Sequence, residues 1–485
     1  MNTLIRELEP KSVWNHFADL NAVPRPSKQE ERVIAFMTKF GQDLGLDTSV
    51  DEVGNVLIKK PATAGREDRP TLAIQSHLDM VHQKNNDTEF DFSSEGIRMT
   101  LEGDWVKAEG TTLGADNGMG VACAMAVLAS TDLPHPALEM LFTIDEETGM
   151  TGAKGLKGGL LSARYLLNLD TEEDTELCIG CAGGVDVVCD GKYEQSEATA
   201  EDGLSTLALT GLAGGHSGMD IHLGRGNANK LMNRILLQAS KLCGIRLVEI
   251  DGGGLRNAIP RESTAKILVP DAKKAALDKL VSNLEKTLQS EYATTDPGLA
   301  LTLASSTEAY TGAVATESAT LSFLRALYSL PNGIYRMSPD VEGLVQTSSN
   351  LARVVVKEGA FHVACLVRGS VDSEKNDMAD SISCALEQIG AEVKLQGEYP
   401  GWAPKPESEV VKVMAEIYSR LFNEQAHVMA CHAGLECGIL GQNYPEIEMI
   451  SFGPNIRGAH SPDETVQVSS VQKIWKLLTE TLATL

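Results

Sequence analysis

The chain has 485 residues, 42% of them hydrophobic and 22% charged, with a net charge of −25. That length exceeds one compact core and predicts two domains of ordinary globular composition. The acidic surplus excludes nucleic acid and anionic membrane as partners, since both need basic surface. No apolar run reaches the length of a membrane span, and Met1 to Pro10 lacks the apolar core of a signal peptide. A cytoplasmic protein is expected. The nine cysteines are scattered. Cys178-Ile179-Gly180-Cys181 lacks the second pair that a structural zinc needs, so reduced, packed thiols are expected.

Val33, Ile34, Met37, Phe40 and Leu44 share one face of a helix over residues 30–44. Asp51 to Ile58 reads as a turn and a strand. The apolar run Thr71 to Ile74 predicts a strand that leads into Ser76-His77-Leu78-Asp79. Side chains two apart on extended chain share a face, so His77 and Asp79 can point into one cleft. A polar excursion runs from Gln83 to Glu109, and the chain returns at Asp116. Gly118 to Ala129, rich in Ala, Met and Val, predicts a buried helix. Strand 138–144 leads to Glu146-Glu147, and strand 165–169 leads to Asp170. Strands alternating with helices predict an α/β domain with a mostly parallel sheet and right-handed crossovers. In such sheets ligands bind beyond the carboxyl ends of the strands, where His77, Glu146, Glu147 and Asp170 fall.

Residues 190–202 are polar and Ala/Glu-rich, as a linker is. From Thr206 onward a strand, a helix (227–241), strands at 245–250 and 258–269, and a helix (271–290) are predicted. A second series has a strand at 361–368, a helix at 372–389 and a strand at 391–398. These units carry no metal-type acids and predict an inserted α+β lid over 191–399, ended by the proline-rich stretch Tyr399 to Pro404. Helix 407–422, strand 446–452, His460 and a terminal helix from Ser470 complete the first domain. The catalytic domain is therefore discontinuous, residues 1–190 and 400–485.

Imidazole and carboxylate ligands together suit zinc, and also cobalt or manganese. Singly, each residue has a plainer reading: Asp116 as a helix cap, Glu146-Glu147 as solvated surface, His77 as a packed histidine. The metal reading comes from the ordered set His77, Asp116, Glu147, Asp170 and His460, with Asp79 and Glu146 beside two of them. An acid next to a ligand, itself free to hold a water, is what metal-assisted hydrolysis requires.

The stretches Gln75-Ser76-His77-Leu78-Asp79-Met80-Val81, Gly110-Thr111-Thr112-Leu113-Gly114-Ala115-Asp116-Asn117-Gly118 and Asp145-Glu146-Glu147-Thr148-Gly149-Met150 form a pattern. So do Gly214-Gly215-His216-Ser217-Gly218 and His432-Ala433-Gly434-Leu435-Glu436-Cys437-Gly438. Together they resemble the zinc aminopeptidase and aminoacylase superfamily, which includes glutamate carboxypeptidase, succinyl-diaminopimelate desuccinylase and carnosinase. Within it they resemble the bacterial aminoacyl-histidine dipeptidase branch, over essentially the whole chain. One departure is His82, where that pattern has proline, and it lies outside the ligand set.

The resemblance implies two divalent ions, zinc first and cobalt or manganese as alternatives. Asp116 would bridge them, with His77 and Asp170 on one and Glu147 and His460 on the other. Glu146 would move the proton, Asp79 would orient His77, and a cis peptide would follow Asp116. His216, Asn257 and Arg368 would face the substrate, His216 stabilising tetrahedral charge and Arg368 binding the free carboxylate. The implied activity is broad hydrolysis of dipeptide amide bonds, aminoacyl-histidine types included, through a metal-bridging hydroxide.

Aminoacylases, desuccinylases and tripeptidases share this machinery, and a non-catalytic metal- or peptide-binding protein also fits the fold. Retention of both Asp79 and Glu146 speaks against the last, because binding alone needs neither. His222 rivals His216 for the substrate role. Asn257 also fits a turn-shaping role, and Arg368 an exposed strand end. Glu436 reads as an interior acid capping backbone amides or as an alternative base. The partners expected are small dipeptides, with no nucleic acid or membrane, and a homodimer is compatible with the sequence.

Overall fold

The computed structural model describes residues 3–199, 201–307 and 310–485. The chain forms two compact units. The first runs to Gly180 and resumes over Trp402–Ala430 and Leu435–Leu485; the second comprises Cys181–Gly401 and Cys431–Gly434.

In the first unit, Leu72–His77, Leu138–Thr143 and Tyr165–Asn168 are buried along their whole length, as continuous apolar runs in the middle of a sheet should be. They lie side by side and parallel, with Glu448–Ser451 parallel to Tyr165–Asn168. Antiparallel strands flank this centre: Asp47–Val50 and Val56–Lys60 at one side, Glu176–Cys181 at the other. The parallel part is where the expected ligand-bearing strands sit.

The helix Ala115–Ala129 is buried on nearly every side and packs against strand Leu72–His77. Small residues let it come close. A Cβ added to Gly120 would stand 2.6 Å from the Leu169 carbonyl oxygen and 2.8 Å from Ser76 Oγ. The start of this helix is thus pressed against two strand ends, next to His77 and Asp170.

The polar excursion 83–109 contains a hairpin, Met99–Glu102 with Trp105–Ala108, for which the sequence reading had placed no strands. Trp105–Ala108 also pairs with Thr465–Gln467, which pairs with Ile456–Arg457. His460 lies in the loop between those last two short strands, so this small sheet fixes the ligand that comes latest in the chain.

The second unit is built on a nine-stranded antiparallel sheet, with helices Ala228–Cys243, Lys274–Glu291, Glu317–Ser329 and Asp372–Glu387 in its apolar core. The expected linker is strand at 190–192, 195–197 and 202. Gly183–Lys192 lies between strands Ala360–Gly369 and Glu392–Tyr399, and Asp202–Thr210 is a further strand of the same sheet. Their polar residues are the exposed and half-buried positions of strands, and the division falls at Gly180 rather than at 190.

The strand expected over 258–269 is two strands. Pro260 has no N–H to continue a ladder. Ala258–Ile259 therefore pairs with Gly215–His216, while Ser263–Pro270 joins the large sheet.

Candidate metal centre

Asp116 is the middle of the site. Its Oδ1 lies 3.2 Å from His77 Nε2, and its Oδ2 lies 3.2 Å from His460 Nε2. His77 Nε2 also faces Asp170 Oδ1 at 3.4 Å, and His460 Nε2 faces Glu147 Oε2 at 3.0 Å. The ligand-type atoms thus fall into two sets, His77–Asp116–Asp170 and Asp116–Glu147–His460, each within 4.8 Å. His77, Glu146 and Glu147 form a further overlapping set. All five expected ligands converge, and the Asp116–Asn117 peptide is cis, as the resemblance implied. His460 adopts φ 67, a backbone region that few non-glycine residues enter and that is common at functional sites.

Asp79 does more than the sequence implied. Its Oδ1 stands 3.4 Å from His77 Nδ1, and its carboxylate also accepts the N–H groups of Glu146 at 3.0 Å and Glu147 at 3.3 Å. Ser27 Oγ donates to it at 2.8 Å. One buried acid therefore orients the histidine and fixes the short helix Glu146–Gly149 that carries the two acids.

Two organising residues escaped the sequence reading. Glu464 is buried, and its carboxylate accepts the N–H groups of Leu113, Gly114, Ala115 and Asp116 at 2.7 to 3.2 Å. It thereby ties the Asp116 loop to the loop that carries His460. From the other side, buried Arg25 donates to the carbonyls of Leu78, Asp79 and Gly114. An acid and a cation separated from their partners by long stretches of chain leave no local pattern to read.

The electrostatics fit divalent cations. Hydrogen bonds to Asp116 and Glu147 push His460 up to about 11. Burial opposes charge on His77, yet Asp170 and hydrogen bonds to Asp116, Asp170 and Asp79 hold it well above its ordinary value. Burial, with Asp116 and Glu147 adding, raises Asp170 to about 6. Burial also raises Glu146 well above a normal carboxyl, with Asp170, Glu436 and Glu147 contributing. Such a cluster must take up protons or cations to stay together. Glu147 Oε1 is buried with no hydrogen-bond partner among the described residues, which is the state of an oxygen awaiting a ligand.

In the second unit, His216 and Arg368 meet. Arg368 is only 4% exposed and donates to the Tyr399 hydroxyl at 2.9 Å. Asp186, which feels its charge, is paired instead with Arg256 at 3.3 Å. His216 Nδ1 accepts the N–H groups of Gly218 at 3.2 Å and Met219 at 3.0 Å. That leaves the proton of the neutral ring on Nε2. Burial, then the Arg368 charge, lowers the pKa of His216 and keeps the ring neutral. Its Nε2 lies 3.4 Å from Arg368 Nη2, so two donors face one another. Asn257 enters this cluster through its backbone: its carbonyl accepts from Ser217 N at 2.8 Å, while the residue itself is exposed. Arg368 is thus buried rather than the exposed strand end that was the alternative.

Residues 73–484 match the model of peptidase family M20/M25/M40, and the chain belongs to that family. It is 43% identical to the cytosol non-specific dipeptidase of Escherichia coli over 478 residues, 99% of this chain and 98% of that one. The crystal structure of aminoacylhistidine dipeptidase from Vibrio alginolyticus superposes with a TM-score of 0.93 at 40% identity, covering 99% of this chain and 97% of that one. Aminopeptidase PepT of Bacillus cereus shares the fold at 16% identity, with a TM-score of 0.61 over 98% of each chain.

Proposed function

We propose that this protein is a metal-dependent dipeptidase of broad specificity, hydrolysing the amide bond of dipeptides, aminoacyl-histidine types included. The observation that carries the reading is the Asp116 carboxylate, with one oxygen 3.2 Å from each of two histidines. The near full-length likeness to a dipeptidase supports the substrate class. A cytoplasmic site of action belongs to the same reading, supported by that relative's name; no helix among the described residues is long and apolar enough to cross a membrane.

His77, Asp116 and Asp170 would hold one ion and Asp116, Glu147 and His460 the other. The ligand types suit zinc first and cobalt or manganese as alternatives. Bound there, two divalent ions supply Lewis-acid polarisation of the scissile carbonyl and acidify water. Glu146 takes the proton of the attacking water on its carboxylate and passes it to the leaving amine nitrogen. Burial raises its proton affinity, which suits the first half of that task. Asp79 holds His77 and the Glu146 backbone in place.

The second unit serves as the lid that reads the substrate. The neutral His216 ring donates its Nε2 proton to the oxygen that gains charge. Arg368 takes the free carboxylate, an acceptor for the facing donors. Asn257 adds a substrate contact from its exposed side chain.

Metal removal tests this reading. Dialysis against a chelator should abolish dipeptide hydrolysis, and added zinc should restore it. On a panel of dipeptides, tripeptides and N-acyl amino acids, only the dipeptides should turn over well. Undiminished hydrolysis after stripping, or preferred cleavage of N-acyl amino acids, contradicts the assignment.

A further inference from the structure

Glu436 is fully buried in the first unit and has no task in the chemistry above. It opens the helix Glu436–Asn443, but among the described residues its carboxylate caps no backbone amide. Its Oε2 accepts from Gln75 Nε2 and from Thr143 Oγ1, each at 2.6 Å. Gln75 Oε1 in turn accepts from Asn168 Nδ2 at 2.5 Å. The positions of these three partners are the point. Gln75 lies two residues before His77, Thr143 three before Glu146, and Asn168 two before Asp170. Each sits near the carboxyl end of one of the three parallel strands that lead into the site. Strand pairing sets Gln75 opposite Asn168, and Thr143 two residues further along, opposite His77.

Core packing alone does not account for an acid here. Glu436 Oε1 is buried with no hydrogen-bond partner among the described residues, an unfavourable state that an apolar side chain would avoid. What the acid provides is one oxygen that two strands share, with the third strand joined through Gln75.

We propose that Glu436 is a positioning residue for the ion held by His77, Asp116 and Asp170, an inference that rests on the two-ion reading above. Its Oε2 sets the relative register of the strand ends, and so the spacing between the His77 imidazole and the Asp170 carboxylate. The ion held by Asp116, Glu147 and His460 depends on this network only through Thr143. Loss of the network therefore falls unequally on the two ions.

The test is metal binding, read separately from activity. E436L removes the acceptor at similar size, and E436Q keeps an oxygen where Oε2 stands. Stripped protein is dialysed against buffered zinc, bound metal is measured by atomic absorption, and the melting temperature is recorded in parallel. Wild type should hold two ions per chain. E436L should bind the ion on the His77–Asp170 side roughly 10–100-fold more weakly, and so retain one ion where wild type retains two. E436Q should restore the second. The proposal is overturned if E436L keeps both ions at wild-type affinity. It is also overturned if E436Q loses as much as E436L, because charge rather than the shared acceptor would then be responsible. Where E436L does not fold, T143V carries the test: weaker binding of the ion on the His77–Asp170 side supports the proposal, and unchanged binding, or weakening of the other ion alone, overturns it. A wild-type chain that holds no ions would fail the two-ion reading instead.

Discussion

Replacing Glu146 with Gln is expected to lower kcat for dipeptides by roughly 10²–10⁴-fold, the range for losing a general base, with both ions retained. The two neighbouring acids are hard to tell apart by proximity, since His77, Glu146 and Glu147 lie within one 4.8 Å set. Their partners separate them. Glu147 Oε2 meets His460 at 3.0 Å, whereas Glu146 is buried among carboxylates that raise its proton affinity. Glu146→Gln keeps size and shape but removes the proton acceptor, so metal content and dipeptide affinity should stay near wild type. Glu147→Gln should instead weaken one ion, and added zinc should partly restore activity. If metal is lost from the first variant and kept by the second, the two roles are reversed. A fully active Glu146→Gln enzyme would mean that another group moves the proton.

Arg368→Ala should raise KM for free dipeptides by roughly 10–100-fold, as expected when a charged group loses its hydrogen-bonded partner, with a far smaller effect on C-terminally amidated dipeptides. The guanidinium is buried, held by the Tyr399 hydroxyl, and Asp186 is engaged elsewhere by Arg256. Among the described residues no acid pairs with it, and a buried cation so placed suits an anion from outside. Amidation removes the substrate's negative charge and leaves its length nearly unchanged. Steady-state kinetics on matched pairs therefore isolate the carboxylate, and equal losses on free and amidated substrates would remove that role from Arg368.

Three of the candidate ligands were legible because each follows an apolar run. His77, Glu147 and Asp170 sit at or just beyond strand ends that announce themselves by burial. The helix after Asp116 was legible from its small apolar residues, and it is buried as expected. What lies behind the ligands was not legible. Glu464 meets Leu113 to Asp116, Arg25 meets Gly114, and Glu436 meets Gln75 only through tertiary register, which no local spacing encodes. The expected linker misled for a different reason. A strand end whose outward positions are Asp190 and Lys192 has the composition of a linker until its pairing is known. The hairpin at 99–108 was hidden the same way, inside a polar stretch that in fact carries the His460 loop on its edge.

The central claim is that Asp116 stands between two catalytic ions. Anomalous diffraction at the zinc edge, on crystals of the metal-loaded enzyme, tests it most directly. The account predicts two peaks roughly 3.5–4 Å apart. One should lie beside His77 and Asp170, the other beside Glu147 and His460, with Asp116 touching both. A single peak, or peaks away from Asp116, would contradict it.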